Sequence, residues 1–160
     1  MPKKSDAITR QRLIALLNED LSREFQAVIA YVVYSQTLRG APYMAIAKEL
    51  ELHAGQELEH AITIAKQIDY LGGTPTTVPR AVKMSAKAEA MLQFDLDNEG
   101  ETIVNYRERV SQCEALGEYA MAEEIREILR VEQEHQIDLT TALNKDVPMV
   151  NATKPRGSSR

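Results

Sequence analysis

Apolar side chains recur every three or four positions through most of the chain, which is the spacing of one face of an α-helix. In the first such stretch these positions are Leu13, Leu16, Leu17, Leu21, Phe25, Val28, Tyr31 and Val32. No stretch shows the sustained alternation of apolar and polar residues that is typical of a β-strand. The pattern therefore predicts an all-α protein.

Glycine and proline residues divide this helical pattern into four segments. The predicted helices run to about Leu38, from about 42 to 71, from 85 to 116 and from 118 to 143. Asp6 is the expected N-cap of the first helix, because its carboxylate can accept hydrogen bonds from free N–H groups of the first turn. We therefore predict a helical domain over 9–144, a basic tail at 1–8 and a disordered tail at 145–160.

The link between the second and third predicted helices is long and contains Pro75 and Pro79. In an extended conformation a link of about 14 residues can span up to about 46 Å. A helix of about 29 residues is about 43 Å long. The link can therefore run the length of a bundle, which predicts two helical hairpins joined by a long crossover, with the second and third helices parallel.

Composition excludes several classes of protein. Cys113 is the only cysteine, so an intrachain disulfide and a four-cysteine metal site are both excluded. The first ten residues lack the apolar core of a signal peptide, and no apolar run approaches the 18 or so residues of a membrane helix. We expect a cytoplasmic protein that does not contact the membrane.

The net charge of −5 is unevenly distributed. The segments 1–12 and 145–160 each carry a net charge of +3, which leaves −11 for the middle of the chain. An acidic body suits the handling of cations, and basic ends could contact a polyanion such as DNA. The simpler interpretation of the ends is that they are solvated tails.

Two Glu-x-x-His motifs stand at 57–60 and 132–135. Residues three apart on a helix share a face, so each motif projects a carboxylate and an imidazole together. Glu24 precedes the first motif by 33 residues, and Glu99 precedes the second by the same interval. Each interval contains a predicted turn near its middle, so folding brings each glutamate level with its motif. The chain thus consists of two similar hairpins.

The glutamates of this repeat lie within apolar stripes. Glu24, for example, lies between Leu21 and Phe25. Four inward carboxylates would repel one another, and burying a lone carboxylate costs several kcal/mol unless it is paired. Two divalent cations would balance the four charges, which predicts a binuclear metal centre. The predicted ligands are Glu24, Glu57, His60, Glu99, Glu132 and His135. The alternative is that these are surface residues, but the doubled spacing disfavours it.

The residues of this repeat, together with the segment 127–135, resemble the ferritin-like superfamily and most closely bacterioferritin. The resemblance covers about 9–143 and implies a ferritin-like four-helix bundle that holds two iron ions per chain. Manganese uses similar ligands, and only the resemblance favours iron. The resemblance also implies a homo-oligomer, at least a dimer, and a cage is the larger assembly it allows.

The resemblance implies a role for each candidate. Glu57 and Glu132 would bridge the two ions. Glu24 and His60 would complete the ligand set of one ion, and Glu99 and His135 would complete that of the other. Tyr31, seven residues after Glu24, would form a hydrogen bond near the site, as would Tyr106, seven residues after Glu99.

The sequence also departs from this family. Leu58 stands where bacterioferritin has its haem-ligating methionine, so haem is not expected. The segment 144–160 replaces the short fifth helix, which argues against a 24-subunit cage. Tyr106 resembles rubrerythrin instead, although Thr102 stands where rubrerythrin has an additional glutamate and the rubredoxin domain is absent.

These features leave three candidate functions. The first is a ferroxidase that oxidises Fe²⁺ with O₂ or H₂O₂ for iron storage or detoxification. The second is a rubrerythrin-like peroxide reductase that uses the same centre. The third is a DNA-protecting assembly of the mini-ferritin type, which the basic ends suggest. His53, one turn before Glu57, is expected to be a packed histidine, and the alternative is an accessory iron residue.

Overall fold

The computed structural model describes residues 7–148. Within that range the chain forms four long helices and a short 3₁₀ helix at Ala41–Tyr43, and it contains no β-strand. The long helices are α1 (Arg10–Thr37), α2 (Met44–Tyr70), α3 (Ala88–Ala115) and α4 (Tyr119–Ala142). The predicted all-α four-helix bundle is confirmed.

Two helices, α1 and α3, begin about three residues later than the sequence predicts. Thr9 is the N-cap of α1, and its Oγ1 accepts a hydrogen bond from the backbone N–H of Arg12 at 3.1 Å. The prediction of Asp6 as the cap was therefore wrong, and Asp6 itself lies outside the described residues. Ser85 does not open α3, because its hydroxyl accepts from the backbone N–H of Lys87 in a local turn.

The crossover 71–87 follows α1 in the direction of that helix. The side chain of Asn18 contacts the Thr74 carbonyl at 3.1 Å, and Gln26 donates to the carbonyl of Ala81 at 2.8 Å. Farther along, Tyr34 donates to the carbonyl of Lys83. The crossover therefore runs the length of the bundle, so that α3 is parallel to α2 and antiparallel to α1, as predicted.

The apolar core has two parts, one towards each end of the bundle. The first contains Leu13, Leu17, Leu21, Ile64, Ile68, Cys113, Met121 and Ile125. The second contains Tyr34, Leu38, Ile46, Leu50, Met91, Leu92 and Leu139. Full burial of one such side chain contributes about 1.5–3 kcal/mol. A layer of buried polar side chains lies between the two parts, and this layer forms the site described below.

No helix within the described part of the chain combines the length and the apolar character needed to cross a bilayer.

Candidate metal centre

The six predicted ligand side chains lie together in the polar layer at the middle of the bundle. Helices α1 and α3 contribute one glutamate each, and α2 and α4 contribute one Glu-x-x-His motif each. Every one of the six is buried, and none is more than 6% exposed. Folding therefore gathers two sets of residues that are 75 positions apart in the sequence.

The imidazole of His60 points into a group of three carboxylates. Its Nδ1 lies 3.0 Å from Oε1 of Glu132, 3.2 Å from Oε2 of Glu57 and 3.6 Å from Oε2 of Glu24. Carboxylate and imidazole atoms of all four residues lie within 4.8 Å of one another. This group has the composition of one cation-binding site.

The imidazole of His135 points into a second such group. Its Nδ1 lies 2.9 Å from Oε1 of Glu57, 3.3 Å from Oε2 of Glu132 and 3.6 Å from Oε1 of Glu99. Glu57 and Glu132 therefore belong to both groups, with one oxygen of each carboxylate facing each imidazole. The arrangement is that of two adjacent cation sites that share two carboxylates.

Several buried atoms of this centre have no hydrogen-bond partner within the described structure. They are Oε1 of Glu57, both carboxylate oxygens of Glu132 and Nδ1 of His135. Leaving a buried polar group unpaired costs about 1–3 kcal/mol, and more for a charged group. Oxygen and imidazole nitrogen donors suit divalent iron, manganese and zinc. The residues present thus fit a pair of bound cations.

Electrostatics within the centre support the same conclusion. Burial, followed by repulsion from Glu132, raises the pKa of Glu57 well above its usual range, and burial raises the pKa of Glu99 to about 7. Burial alone would lower the pKa of His60, but the three surrounding carboxylates raise that pKa to about 12. The cation-free centre therefore retains extra protons, which bound metal would displace.

Two tyrosines form hydrogen bonds with the carboxylates of Glu24 and Glu99, and each of these bonds joins one hairpin to the other. The hydroxyl of Tyr31 donates to Glu99, and that of Tyr106 donates to Glu24. Burial is the largest cause that raises the pKa of both phenols well above the usual value, so both remain hydrogen-bond donors. The structure thus places both predicted tyrosines beside the centre.

Gln56 is a supporting residue that sequence reasoning missed. Its Oε1 lies 2.7 Å from Nε2 of His135. An Nε2–H that donates to Gln56 leaves the lone pair of Nδ1 directed at the carboxylates, as a metal-ligating histidine requires. No spacing in the sequence distinguishes Gln56 from other polar residues of α2.

A buried aspartate also precedes each of Glu24 and Glu99 by one helical turn. Asp20 accepts a hydrogen bond from Nε of Arg109 at 2.6 Å, whereas Oδ2 of Asp95 has no partner among the described residues. Asp20 lies four residues before Glu24, and Asp95 lies four before Glu99. The repeat that identified the glutamates could therefore have identified these two aspartates as well.

A small cavity of about 10 Å³ adjoins the centre between α1 and α3. Its lining includes Tyr31, Glu57, Asp95 and Glu132. This volume is close to the minimum that holds one water molecule. The cavity can therefore hold one water molecule beside the shared carboxylates.

His53 is buried, with 2% of its surface exposed, and its ring stacks on that of His135 at a centroid distance of 3.9 Å. Its Nε2 lies 3.1 Å from Oδ2 of Asp138. Burial and then the neighbouring His135 lower the pKa of His53 to about 4, so the ring is neutral at pH 7. Leu58 is half exposed on the outside of α2 and offers no ligand atom.

Comparison with known proteins places these features in context. The family model of the ferritin-like domain matches residues 14–147. Among curated relatives, a bacterioferritin of Desulfovibrio desulfuricans is 28% identical over 127 residues, or 79% of this chain and 71% of the relative. A bacterioferritin of Brucella melitensis is 28% identical over 136 residues, or 83% of each chain.

Solved structures of ferritin-like proteins also superpose on this chain. A ferritin-like, diiron-carboxylate protein from Bacillus anthracis superposes with a TM-score of 0.81 at 32% identity, covering 84% of this chain and 97% of its own. A bacterioferritin-related protein from Bacteroides fragilis, described as a dodecameric thioferritin, superposes with a TM-score of 0.79 at 27% identity. That match covers 86% of this chain and 88% of the Bacteroides chain.

Proposed function

We propose that this chain, which belongs to the ferritin-like domain family, is a ferroxidase that binds two Fe²⁺ ions and oxidises them with O₂ or H₂O₂. The observation that carries the proposal is the position of Glu57 and Glu132. Each of these buried carboxylates presents one oxygen to His60 and the other to His135. This is the geometry needed to hold two cations side by side. The activity would serve iron storage or detoxification.

Each predicted ligand has a role that follows from its place in the centre. Glu57 and Glu132 would be shared between the two ions. Glu24 and His60 would complete the ligand set of one ion, and Glu99 and His135 would complete that of the other. The same donor atoms could bind manganese.

The reaction balances with two ferrous ions as the substrate. Each ion gives up one electron, so two Fe²⁺, one O₂ and two protons yield two Fe³⁺ and one H₂O₂. With peroxide as the oxidant, two Fe²⁺, one H₂O₂ and two protons yield two Fe³⁺ and two water molecules. Tyr31 and Tyr106 hold the carboxylates of Glu99 and Glu24 in place while the charge of the ions changes.

The decisive experiment is to substitute Glu57 with alanine and to follow Fe²⁺ oxidation after rapid mixing, once with O₂ and once with H₂O₂. Loss of residues that merely support a metal ligand typically costs about 10–100-fold in affinity or activity. Removal of a carboxylate shared by both ions should therefore reduce the initial rate by more than about 100-fold with either oxidant.

Glu59→Ala is the matched control for this experiment. Glu59 lies on the same helix two residues away but is exposed, and its removal should leave the rate unchanged. Rapid oxidation by Glu57→Ala at the wild-type rate would refute the proposal.

A rubrerythrin-like peroxide reductase is the second candidate, and the contact of Tyr106 with Glu24 favours it. In the same rapid-mixing experiment, oxidation that is much faster with H₂O₂ than with O₂ supports this candidate over an oxygen-using ferroxidase. A peroxide reductase built on this chain would need an external electron donor, because the oxidised ions must be reduced again before the next turnover.

The DNA-protecting assembly stays a prediction. Its basic ends lie largely outside the described residues, which include Arg10, Arg12 and Lys145 but not 1–6 or 149–160. DNA binding that weakens steeply with salt would support it, and no binding at low salt would exclude it. We also propose a cytoplasmic homo-oligomer, in line with the dodecameric relative from Bacteroides fragilis.

A further inference from the structure

A second group of candidate ligands lies outside the centre, between α2 and α4. This outer cluster consists of Glu49, His53 and Asp138. Each residue offers one ligand atom, and these atoms lie within 4.8 Å of one another. The outer cluster shares no residue with the six side chains of the centre.

The outer cluster is open to solvent on one side and buried on the other. Glu49 is exposed and the side chain of Asp138 is 42% exposed, whereas His53 is 2% exposed. Glu49 and Asp138 line a surface pocket of about 230 Å³ together with Ile46 and Thr141. An ion can therefore reach the two carboxylates directly from solvent.

The charge of the outer cluster is not compensated by any neighbour within 7–148. Glu49 forms no hydrogen bond or ion pair there, and the one partner of the Asp138 carboxylate is the imidazole of His53 at 3.1 Å. Two carboxylates beside a buried imidazole give an excess of negative charge and three donor atoms of the kinds that bind transition metals.

We propose that the outer cluster binds a third divalent transition-metal ion. Ligand bonds of about 2.0–2.2 Å require donor atoms closer together than 4.8 Å, so the ion would draw in the exposed side chain of Glu49. Three protein ligands leave positions open for water, which suits an ion that is exchanged rather than permanently held.

The position of His53 connects this third site to the centre. Its ring stacks on His135 at 3.9 Å between centroids, and Nδ1 of His135 faces Glu57. An ion on the outer cluster would thus lie one pair of stacked rings away from the centre, on the solvent side. If the proposed function holds, this is where a ferrous ion is held before it enters; the binding itself does not depend on that function.

The test uses the full chain, stripped of metal with a chelator and titrated with Zn²⁺, which cannot be oxidised. Calorimetry and metal analysis after gel filtration should give three ions per chain for the wild type and two for Asp138→Asn and for Glu49→Gln. Glu59→Gln removes an exposed carboxylate from the same helix and should retain all three. His53 is left intact because it contacts His135, so its loss would also disturb the centre.

Anomalous scattering from zinc-soaked crystals should place the third ion between Glu49 and Asp138. Three ions in Asp138→Asn, or two ions in the wild type with both in the centre, would overturn the proposal. A wild type that binds one ion and loses it in Asp138→Asn would instead refute the two-ion centre while supporting the third site. The two proposals therefore fail in different ways.

Discussion

The side chains of the centre carry charges that do not balance by themselves. Four buried glutamates face two histidines, and protonation of both imidazoles compensates only half of the negative charge. The raised pKa values of Glu57, Glu99 and His60 show how the cation-free site responds, by holding protons. Bound divalent cations would compensate the same charge without protonation, so metal and protons compete for this site.

This competition predicts the pH dependence of the metal-free protein. The pKa of Glu99 rises from 4.5 to about 7 on folding, so between these values the folded state binds more protons than the unfolded state. Glu99 therefore contributes a fall in stability as pH rises from about 4.5 to 7, on the order of 3 kcal/mol. Thermal unfolding in the presence of a chelator, recorded at several pH values, measures the effect.

Two comparisons isolate the contribution of Glu99. Glu99→Gln should make the pH dependence between 4.5 and 7 less steep, because the amide does not titrate while Glu57 and Asp20, whose pKa values burial also raises, still do. Saturation with Zn²⁺ should flatten it too, since the metal keeps the carboxylate ionised. Metal-free wild-type protein that becomes more stable over this pH range would contradict the argument.

At this scale the sequence analysis predicted the repeated glutamates and histidines, overlooked the repeated Asp20 and Asp95, and missed residues that do not repeat. Glu24 and Glu99 were identifiable because each precedes a Glu-x-x-His motif by the same interval. Arg109 was not, because its partner Asp20 is 89 residues away and no second pair of that spacing exists to indicate a contact. Such a pairing depends on how two hairpins pack, which local patterns do not determine.

Helices and their connections were predictable in number and less so in their ends. The four helices follow from apolar spacing that persists for 24 residues or more in each case. Their starts depend on single hydrogen bonds, such as that from Arg12 to Thr9, and several polar residues nearby could have served as caps. The hydroxyl of Ser85 accepts a hydrogen bond from the backbone N–H of Lys87 in a local turn before α3. The general preference for serine at the start of helices does not reveal this contact.

The end of α2 provides a prediction at the scale of elements. A Cβ on Gly73 would lie 2.5 Å from Cγ2 of Ile14 on α1, and β-branched isoleucine has little freedom to move away. We expect Gly73→Ala to destabilise the protein by about 1–3 kcal/mol, as overpacking does. Chemical denaturation of the purified variant would measure the change.

Gly55, within α2, provides the opposite case. A Cβ at this position in α2 meets no atom within 4 Å, so Gly55→Ala should stabilise the protein by about 0.5–1 kcal/mol through helix propensity alone. Equal stability of the two glycine variants would contradict the prediction that the residues after α2 pack too closely against α1 to accept a methyl group at Gly73.

Several large apolar side chains on α1 and α2 are not covered by any part of residues 7–148. On α2, Leu52, Leu58 and Ile62 are each at least 51% exposed, and on α1 Val32 is 50% exposed. Where exposed apolar side chains form a contiguous patch, they typically mark a protein interface, and Leu58 and Ile62 share one face of α2 because they are four residues apart. These exposed side chains agree with the proposed homo-oligomer, because a second copy of the chain could cover them.

A measurement of native mass tests this prediction. Light scattering should give a multiple of the 17.9 kDa chain, and the double variant Leu58→Glu with Ile62→Glu should shift the mass towards the monomer while helicity is retained. The matched control is Glu59→Ala, which removes a charge from the same helix. A wild-type protein that is monomeric at micromolar concentration would contradict the prediction.

The two hairpins contribute equally to the centre, and this equality bears on how the chain assembles. The first hairpin contains Glu24, Glu57 and His60, and the second contains Glu99, Glu132 and His135. Three donors form a partial metal-binding site. Each hairpin of the newly made chain could therefore bind an ion before it packs against the other hairpin. Docking of the halves would then exchange water on each ion for a carboxylate of the opposite half, and the cation itself would act as a template for folding.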